Sequence, residues 1–183
     1  MQMDPTSSSS LPFMRVGSKP VDGGHYIFDD EERAAFLAAE PGAEPFIRPF
    51  VGGREFLNSQ SRWIIHPESI SLADLKDLPM VRDRIAKVRV TRTEQMGALG
   101  KSLAKTPQAF HVTVVPEAPF LGLAEVSSER REYAPLGWLE PPTIPSNQLL
   151  IVQDATPQLF SLLQSARCAW NGLTARMRPR SLW

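Results

Sequence analysis

Residues 46–63 decide the fold, and they read FIRPFVGGREFLNSQSRW. Aromatic and β-branched residues dominate two short runs, 46–51 and 62–66, which predicts a strand in each. Between the runs stand a Gly-Gly pair and an Asn58-Ser59 step. Glycine adopts backbone conformations that other residues avoid, and Asn and Ser are frequent in turns. The segment is therefore expected to form two strands joined through turns.

The same segment offers side chains that could touch nucleic acid. Asn58 could pair with an adenine edge, because its amide carries both a donor and an acceptor. Three arginines could contact phosphate groups: Arg48, Arg54 and Arg62. The alternative is a structural hairpin with solvated arginines, and local chemistry taken alone favours that alternative.

Length and composition bound the class of protein. A chain of 183 residues with 42% hydrophobic residues can form one domain, or two small lobes, with a proper core. The single cysteine, Cys168, cannot form an internal disulfide, which fits a reducing, cytoplasmic setting. No apolar run approaches the length of a membrane span. Residues 1–10 are expected to be a disordered head and residues 11–183 the domain, with a possible lobe boundary at 97–106.

The charge is unevenly placed although the formal net charge is zero. Residues 1–60 contain nine acids and five bases, whereas residues 81–110 contain seven bases and two acids. Residues 151–183 contain four arginines and one acid. Two basic regions on a neutral chain are typical of a part that shares a nucleic acid with a larger partner.

Short strand candidates outnumber helix candidates, which predicts a β-rich α+β domain with three or four helices. Further strands are expected over 13–16, 25–28, 109–115, 121–126, 133–139 and 149–152. Helices are expected over 31–40 after a cap at Asp29 or Asp30, after a capping box at Ser71, from Pro79 toward Leu99, and from Thr156 to about Ala175. In the helix from Pro79, the apolar positions Val81, Ile85 and Val88 form one face, and arginines and lysines are expected on the others.

Three other stretches carry polar chemistry. The loop GSKPVDGG, residues 17–24, could grip phosphate through its backbone and Lys19, although an ordinary loop is the favoured interpretation from local chemistry. The stretch VSSERREYAPLG, residues 126–137, suits a base-reading loop or, equally, a hairpin with a surface ion pair. In the tail, three arginines at alternate positions would share one side of an extended strand, unless the end is frayed.

Catalytic and metal sites find little support. His25, His66 and His111 are scattered without the spacing of a metal site, and Cys168 falls within an apolar helix. The tetrad Glu140-Pro-Pro-Thr143 differs from the tetrad of amino-methylating enzymes, which is Asn, Asp or Ser followed by Pro-Pro and an aromatic residue, in both its polar and its aromatic position. We therefore expect no catalytic residue, no bound metal and no methyl transfer by this chain alone.

Taken in order, these stretches resemble the DNA target-recognition domain of MmeI-like single-chain restriction–modification enzymes and adenine-N6 DNA methyltransferases. The matching pieces are residues 17–24, 30–33, 46–63, 79–89 and 126–137, together with Ala155 and Trp170. The resemblance implies a parent enzyme with an adenine-N6 methyltransferase core that uses S-adenosylmethionine, to which some members add a nuclease. This chain matches neither part, so no cofactor is expected in it.

The resemblance also implies partners and roles for side chains. The expected partners are double-stranded DNA and the methyltransferase domain of the parent protein. The base-reading candidates are Glu129, Arg131, Asp154, Arg178 and Arg180. The phosphate-contact candidates are Lys19, Arg48, Arg54, Arg62, Arg82 and Arg89. A protein-docking module without DNA affinity is the alternative function, and an enzyme with an unrecognised site is a third.

Overall fold

The computed structural model describes residues 13–124 and 135–165, which contain eight strands and five α-helices. The strands are β1 Met14–Val16, β2 Ile27–Phe28, β3 Ile47–Val51, β4 Trp63–Ile65, β5 Phe120–Ala124, β6 Leu136–Leu139, β7 Ile144–Pro145 and β8 Leu149–Val152. The helices are α1 Asp30–Ala39, α2 Gly53–Asn58, α3 Pro79–Gln95, α4 Gly97–Leu103 and α5 Pro157–Ser165. The predicted α+β class is confirmed, with α2 and α4 raising the helix count above the expected three or four.

The strands form two four-stranded sheets, ordered β2-β4-β3-β7 and β1-β8-β5-β6. In the first sheet β3 pairs antiparallel with β4 and parallel with β7. In the second sheet every neighbouring pair is antiparallel, and β1 pairs with β8 across most of the chain length. Because β7 and β8 follow each other directly yet lie in different sheets, residues 146–148 connect the two sheets.

The largest core cluster lies between the first sheet and two helices. Phe28 and Ile64 come from the sheet and are fully buried, Phe36 comes from α1, and Val81 and Val88 come from α3. Fully burying an apolar side chain of this size stabilises the fold by about 1.5–3 kcal/mol. The apolar stripe predicted from Pro79 onward is therefore the surface by which α3 packs on the sheet.

The deciding segment forms strand, helix and strand. β3 and β4 pair as predicted, but the short helix α2 stands between them where turns were expected. Glu55 caps this helix, since its Oε2 accepts a hydrogen bond of 2.8 Å from the backbone N–H of Gly52. A Cβ on Gly52 would lie 2.7 Å from Oγ of Ser146, so a larger residue there would require the surrounding side chains to shift. Helix α2 ends at Asn58, and the next residue, Ser59, has a left-handed φ of 52°.

Two predicted caps are confirmed. Asp29 caps α1 by accepting a 2.8 Å hydrogen bond from the N–H of Glu32, whose carboxylate accepts in return from the N–H of Asp29. Thr156 caps α5 by accepting from the N–H of Leu159 at 3.2 Å. The continuation of that helix beyond Ser165, including Cys168 and Trp170, lies outside the described residues, as does the expected head at 1–10.

Other predictions were wrong in detail. The expected strand at 109–115 is irregular, because its backbone bonds to single residues of the 17–24 loop instead of a neighbouring strand. The helix from Pro79 ends at Gln95, and α4 begins separately at Gly97, whose φ is +59°. The two-residue strand β7 was not predicted. Within 13–124 and 135–165, no helix is long and apolar enough to cross a membrane.

The N-terminus of α3 is capped by a distant residue. No side chain of the neighbouring sequence caps it. Instead, the buried carboxylate of Glu40 accepts hydrogen bonds from the N–H groups of Met80 at 2.7 Å and Val81 at 3.1 Å. A carboxylate at this end also faces the positive end of the helix dipole. Glu40 therefore fixes where α3 begins relative to α1.

We predict that Glu40→Ala lowers the free energy of unfolding by about 1–2 kcal/mol, because two helix N–H groups lose their acceptor. Glu44→Ala is the matched control, since the side chain of Glu44 is 71% exposed. Urea denaturation of both variants measures the difference. Equal stability of the two variants would show that Glu40 does not anchor α3.

Candidate nucleic-acid interface

Helix α3 exposes two arginines, Arg82 and Arg89, whose side chains form no hydrogen bond or ion pair within the described part of the chain. At seven residues apart they lie about 20° apart around the helix axis and about 10 Å apart along it. Lys87 differs, because its Nζ lies 2.7 Å from Oδ2 of Asp83. Arg82 and Arg89 thus form a face of two uncompensated positive charges.

Arg84 faces the other way. Its guanidinium carbon lies 4.1 Å from the ring centroid of Phe28 and 5.1 Å from that of Phe36. Its Nη1 donates a 2.6 Å hydrogen bond to the carbonyl of His25. Burial lowers the pKa of Arg84 from its ordinary value. Arg84 therefore stabilises the packing of α3 on α1 and β2.

Arg92 is fully buried, although the sequence predicted basic residues only on the outer faces of this helix. All five N–H groups of its guanidinium donate to backbone carbonyls. The acceptors are Val21 at 2.8 Å, Pro20 at 2.8 Å, Ala109 at 2.9 Å, Leu103 at 3.0 Å and Thr106 at 3.0 Å. Arg92 thus joins α3 to the 17–24 loop and to the segment that follows α4.

Hydrogen bonds hold the backbone of the 17–24 loop along its length. The side chain of Lys19 is exposed. The N–H of Gly17 donates to the carbonyl of Leu149, and the N–H of Ser18 to that of Pro145. Lys19 forms a two-way backbone pair with Val112, at 2.8 and 3.2 Å. The loop therefore presents the ammonium group of Lys19 from a backbone held on both sides.

The three arginines of the deciding segment lie in different surroundings. Arg62 places Nη2 2.9 Å from Oε2 of Glu55 and stacks 4.7 Å from the ring centroid of Phe50, so its charge is compensated. Arg48 is half-buried on β3, and its Nε has no hydrogen-bond partner among the described residues. Arg54 is exposed beside a cleft. The acidic residues lining that cleft are Asp29, Asp30, Glu32 and Glu55.

Of the five base-reading candidates, the structure describes one. Asp154 is exposed in the turn between β8 and α5, where its φ of 57° is left-handed. Asp and Asn tolerate this conformation better than most residues. The remaining candidates, Glu129, Arg131, Arg178 and Arg180, lie outside the described residues.

The three histidines lie in different surroundings. His25 shares a 3.0 Å hydrogen bond with Oγ1 of Thr91, and His111 is exposed. His66 is 9% exposed, and neither of its ring nitrogens has a hydrogen-bond partner among the described residues. Over the same residues, no group of His, Cys, Asp and Glu side chains could hold a metal ion.

The structural roles of Glu40 and Arg92 were not predicted from the sequence. For Arg92, the sequence contained a pattern that could have indicated its role. Arg92 continues the apolar stripe of Val81, Ile85 and Val88, since spacings of four, three and four residues keep one helix face. A charged residue on such a stripe indicates a buried, fully hydrogen-bonded group. Glu40 had no such signal, because its partners lie 40 residues further along the chain.

The exposed cations of this surface can bind an extended anion. Lys19, Arg82 and Arg89 are exposed, and the described residues give their side chains no acid to neutralise them. Charged groups of this kind bind a phosphate backbone independently of base sequence.

The comparisons with known proteins point to one family. The family model described as "MmeI, target recognition domain" matches residues 2–180. The chain is 29% identical over 157 residues to DNA methyltransferase A of Bacillus subtilis (strain 168), covering 86% of this chain and 18% of that protein. It also matches the structure of the type IIL restriction-modification enzyme MmeI in complex with DNA, with a TM-score of 0.82 and 36% identity, covering 88% of this chain and 22% of that one.

We predict that stability falls with acid because of His66. Burial lowers the pKa of His66, helped by the charge of Arg48 and opposed by Glu68. Below about pH 6.5 the unfolded histidine takes up a proton that the folded one does not, so the free energy of unfolding decreases as pH falls.

The test compares denaturant unfolding at about pH 7.5 and about pH 5.5, on either side of the ordinary histidine pKa. His66→Gln should lose less stability on acidification than the unaltered chain does. His111→Gln, at an exposed position, should behave like the unaltered chain. The assignment fails if both variants show the same pH dependence.

Proposed function

The chain belongs to the family of MmeI target recognition domains, and we propose that it recognises a DNA sequence on behalf of a restriction–modification enzyme. The observation that carries the proposal is its likeness, over most of its length, to the structure of MmeI in complex with DNA. The exposed, unpaired cations of α3 and the 17–24 loop have the charge needed to contact the phosphate groups of DNA. A cytoplasmic location is part of the same proposal.

The phosphate contacts are assigned by charge and exposure. Arg82 and Arg89 share one face of α3. Lys19 is exposed on a loop whose backbone is hydrogen-bonded to Val112. Arg54 is exposed but lies beside several carboxylates, and Arg62 is paired with Glu55. Arg48 is half-buried. We therefore rank Lys19, Arg82 and Arg89 as the main phosphate contacts, because unpaired cations release the most counterions on binding.

The base contacts are assigned to side chains in the second half of the chain. Asp154 is exposed in the turn that follows β8, which suits a carboxylate accepting a hydrogen bond from cytosine N4. Glu129 could make the same contact, and Arg131, Arg178 and Arg180 could donate to guanine O6 and N7. These five side chains would choose the sequence, while the phosphate contacts set the orientation.

The chain spans about a fifth of each relative reported above, so the activity of the whole protein is part of the proposal. We propose a parent that methylates adenine N6 with S-adenosylmethionine. The described residues do not fit that cofactor. The strand–glycine–helix turn at Val51–Gly53 already has its N–H bonded to the carboxylate of Glu55, where an anionic group would otherwise bind. The methyl donor would therefore be held by another domain.

We predict that Arg82→Ala and Arg89→Ala each weaken binding to all DNA sequences alike. The slope of log K against log salt should become shallower by about 0.9 for each lost phosphate contact. Lys87→Ala is the control, because its charge is paired with Asp83. Titrating a labelled duplex pool of random sequence over a salt series measures the slopes. Unchanged slopes for both arginine variants would refute the assignment.

We predict that Glu129→Ala changes which bases are preferred and leaves the salt slope unchanged. Losing one base contact removes about 1–3 kcal/mol of discrimination at one position of the site. Selection from a randomised duplex library, followed by sequencing, reports the preference. Glu117→Ala, an exposed acid elsewhere, is the control. Equal losses on preferred and random duplexes would remove Glu129 from the reading set.

The alternative, a protein-docking module, makes the opposite prediction about salt. DNA binding weakens steeply as salt rises, because condensed counterions are released. A docking module would assemble with its partner at high salt and would show no affinity for the random duplex pool. That result would replace DNA recognition as the function of the chain.

A further inference from the structure

The guanidinium group of Arg92 lies where three parts of the chain meet. It bonds Pro20 and Val21 in the 17–24 loop, Leu103 at the end of α4, and the following segment. Its five donors are all used, and it has no ion pair among the described residues. A group bound in this way to carbonyls alone holds backbone in place.

The loop that Arg92 holds contains a strained residue. Val21 has a φ of 52°, and a β-branched residue in this left-handed region is a genuine outlier. Such conformations persist only when their surroundings enforce them, and they are frequent at functional sites. The carbonyl of Val21 accepts from Nε of Arg92 at 2.8 Å, and that of the preceding Pro20 accepts from Nη2 at 2.8 Å.

Lys19 is the residue next to this held segment. Its backbone pairs with Val112 on one side, and Pro20, its neighbour, is bonded to Arg92 on the other. On α3, Arg92 follows Arg89 by three residues, which places the two side chains about 60° apart around the axis. The loop cation and the helix cation are therefore attached to one rigid frame.

We propose that Arg92 is a positioning residue for DNA binding, which holds Lys19 in a fixed place relative to Arg89 so that both contact phosphates of the same duplex. Fixed cations bind with a smaller ordering cost than cations on a mobile loop. The inference rests on the proposed function, in which Lys19 and Arg89 are phosphate contacts. It adds that a buried arginine, which touches no DNA, sets their geometry.

The test uses the full chain, the random duplex pool and a salt series. Lys19→Ala should reduce the salt slope by about 0.9 in the unaltered chain and have no effect when combined with Arg92→Lys. Arginine-to-lysine keeps the charge but loses most of the five hydrogen bonds. If Lys19→Ala has the same effect in both backgrounds, Arg92 does not position Lys19.

A second variant covers the case in which Arg92→Lys does not fold. Val21→Pro forbids the left-handed conformation, because proline fixes φ near −65°. The N–H of Val21 donates no hydrogen bond within the described part of the chain, so the change loses none there. It should also abolish the effect of Lys19→Ala. An undiminished effect of Lys19→Ala in the Val21→Pro chain would overturn the proposal.

Rescue separates positioning from general stability. Asn tolerates the left-handed region, so Val21→Asn should restore part of the Lys19 contribution in the Arg92→Lys chain. Amide hydrogen exchange gives a readout that needs no DNA. The N–H groups of Lys19 and Val112 should exchange at least about tenfold faster in Arg92→Lys and in Val21→Pro, as local opening becomes easier.

These readouts separate two kinds of failure. If the unaltered chain shows no salt-dependent DNA binding, the proposed function fails, and exchange at Lys19 still decides whether Arg92 holds the loop. If the unaltered chain binds DNA but exchange and the Lys19 contribution do not respond to the variants, only the positioning role of Arg92 fails.

Discussion

The buried guanidinium of Arg92 is the interaction on which the rest of the structure depends. An unpaired buried charge is strongly destabilising, but here five N–H groups meet five carbonyls. Four of those carbonyls belong to residues outside helices and strands, and the fifth belongs to Leu103 at the end of α4. A hydrogen bond made by a charged group contributes about 1.5–3 kcal/mol to stability. Arg92 thus gives loops near the end of α3 a fixed shape.

Helix α3 is held at both ends by charged side chains that solvent barely reaches. At the start of the helix, the carboxylate of Glu40 accepts hydrogen bonds from the first N–H groups. In the last turn, Arg92 donates hydrogen bonds to carbonyls of other segments. Arg84 adds a contact with aromatic rings on the buried side. Because these groups are satisfied within the chain, the exposed Arg82 and Arg89 are left to meet an external anion. The basic residues of this helix therefore divide by position into those that stabilise the fold and those that we propose contact DNA.

Features that depend on neighbouring residues in the chain were predicted from the sequence. Caps at Asp29 and Thr156 and strands such as β3 follow from nearby residues, and they are confirmed. Helix α2 was missed because the Gly-Gly pair and the Asn58-Ser59 step indicate turns, whereas the carboxylate of Glu55 caps a helix there. The strand at 109–115 was wrong because the Ser18 hydroxyl takes the place of a neighbouring strand, donating to the carbonyl of Val114 and accepting from its N–H. The family was found from the order of weak motifs. The division of the arginines needed three-dimensional contacts.

Arginine modification with phenylglyoxal, read by mass spectrometry with and without a DNA duplex, tests the central claim most directly. Reactivity requires an exposed guanidinium, which Arg82 and Arg89 have and Arg92 lacks. The account predicts that Arg82 and Arg89 react in the free chain and are protected by DNA, while Arg92 is unreactive in both states. Equal reactivity of Arg82 and Arg89 with and without bound DNA, or a reactive Arg92 in the folded free chain, would contradict it.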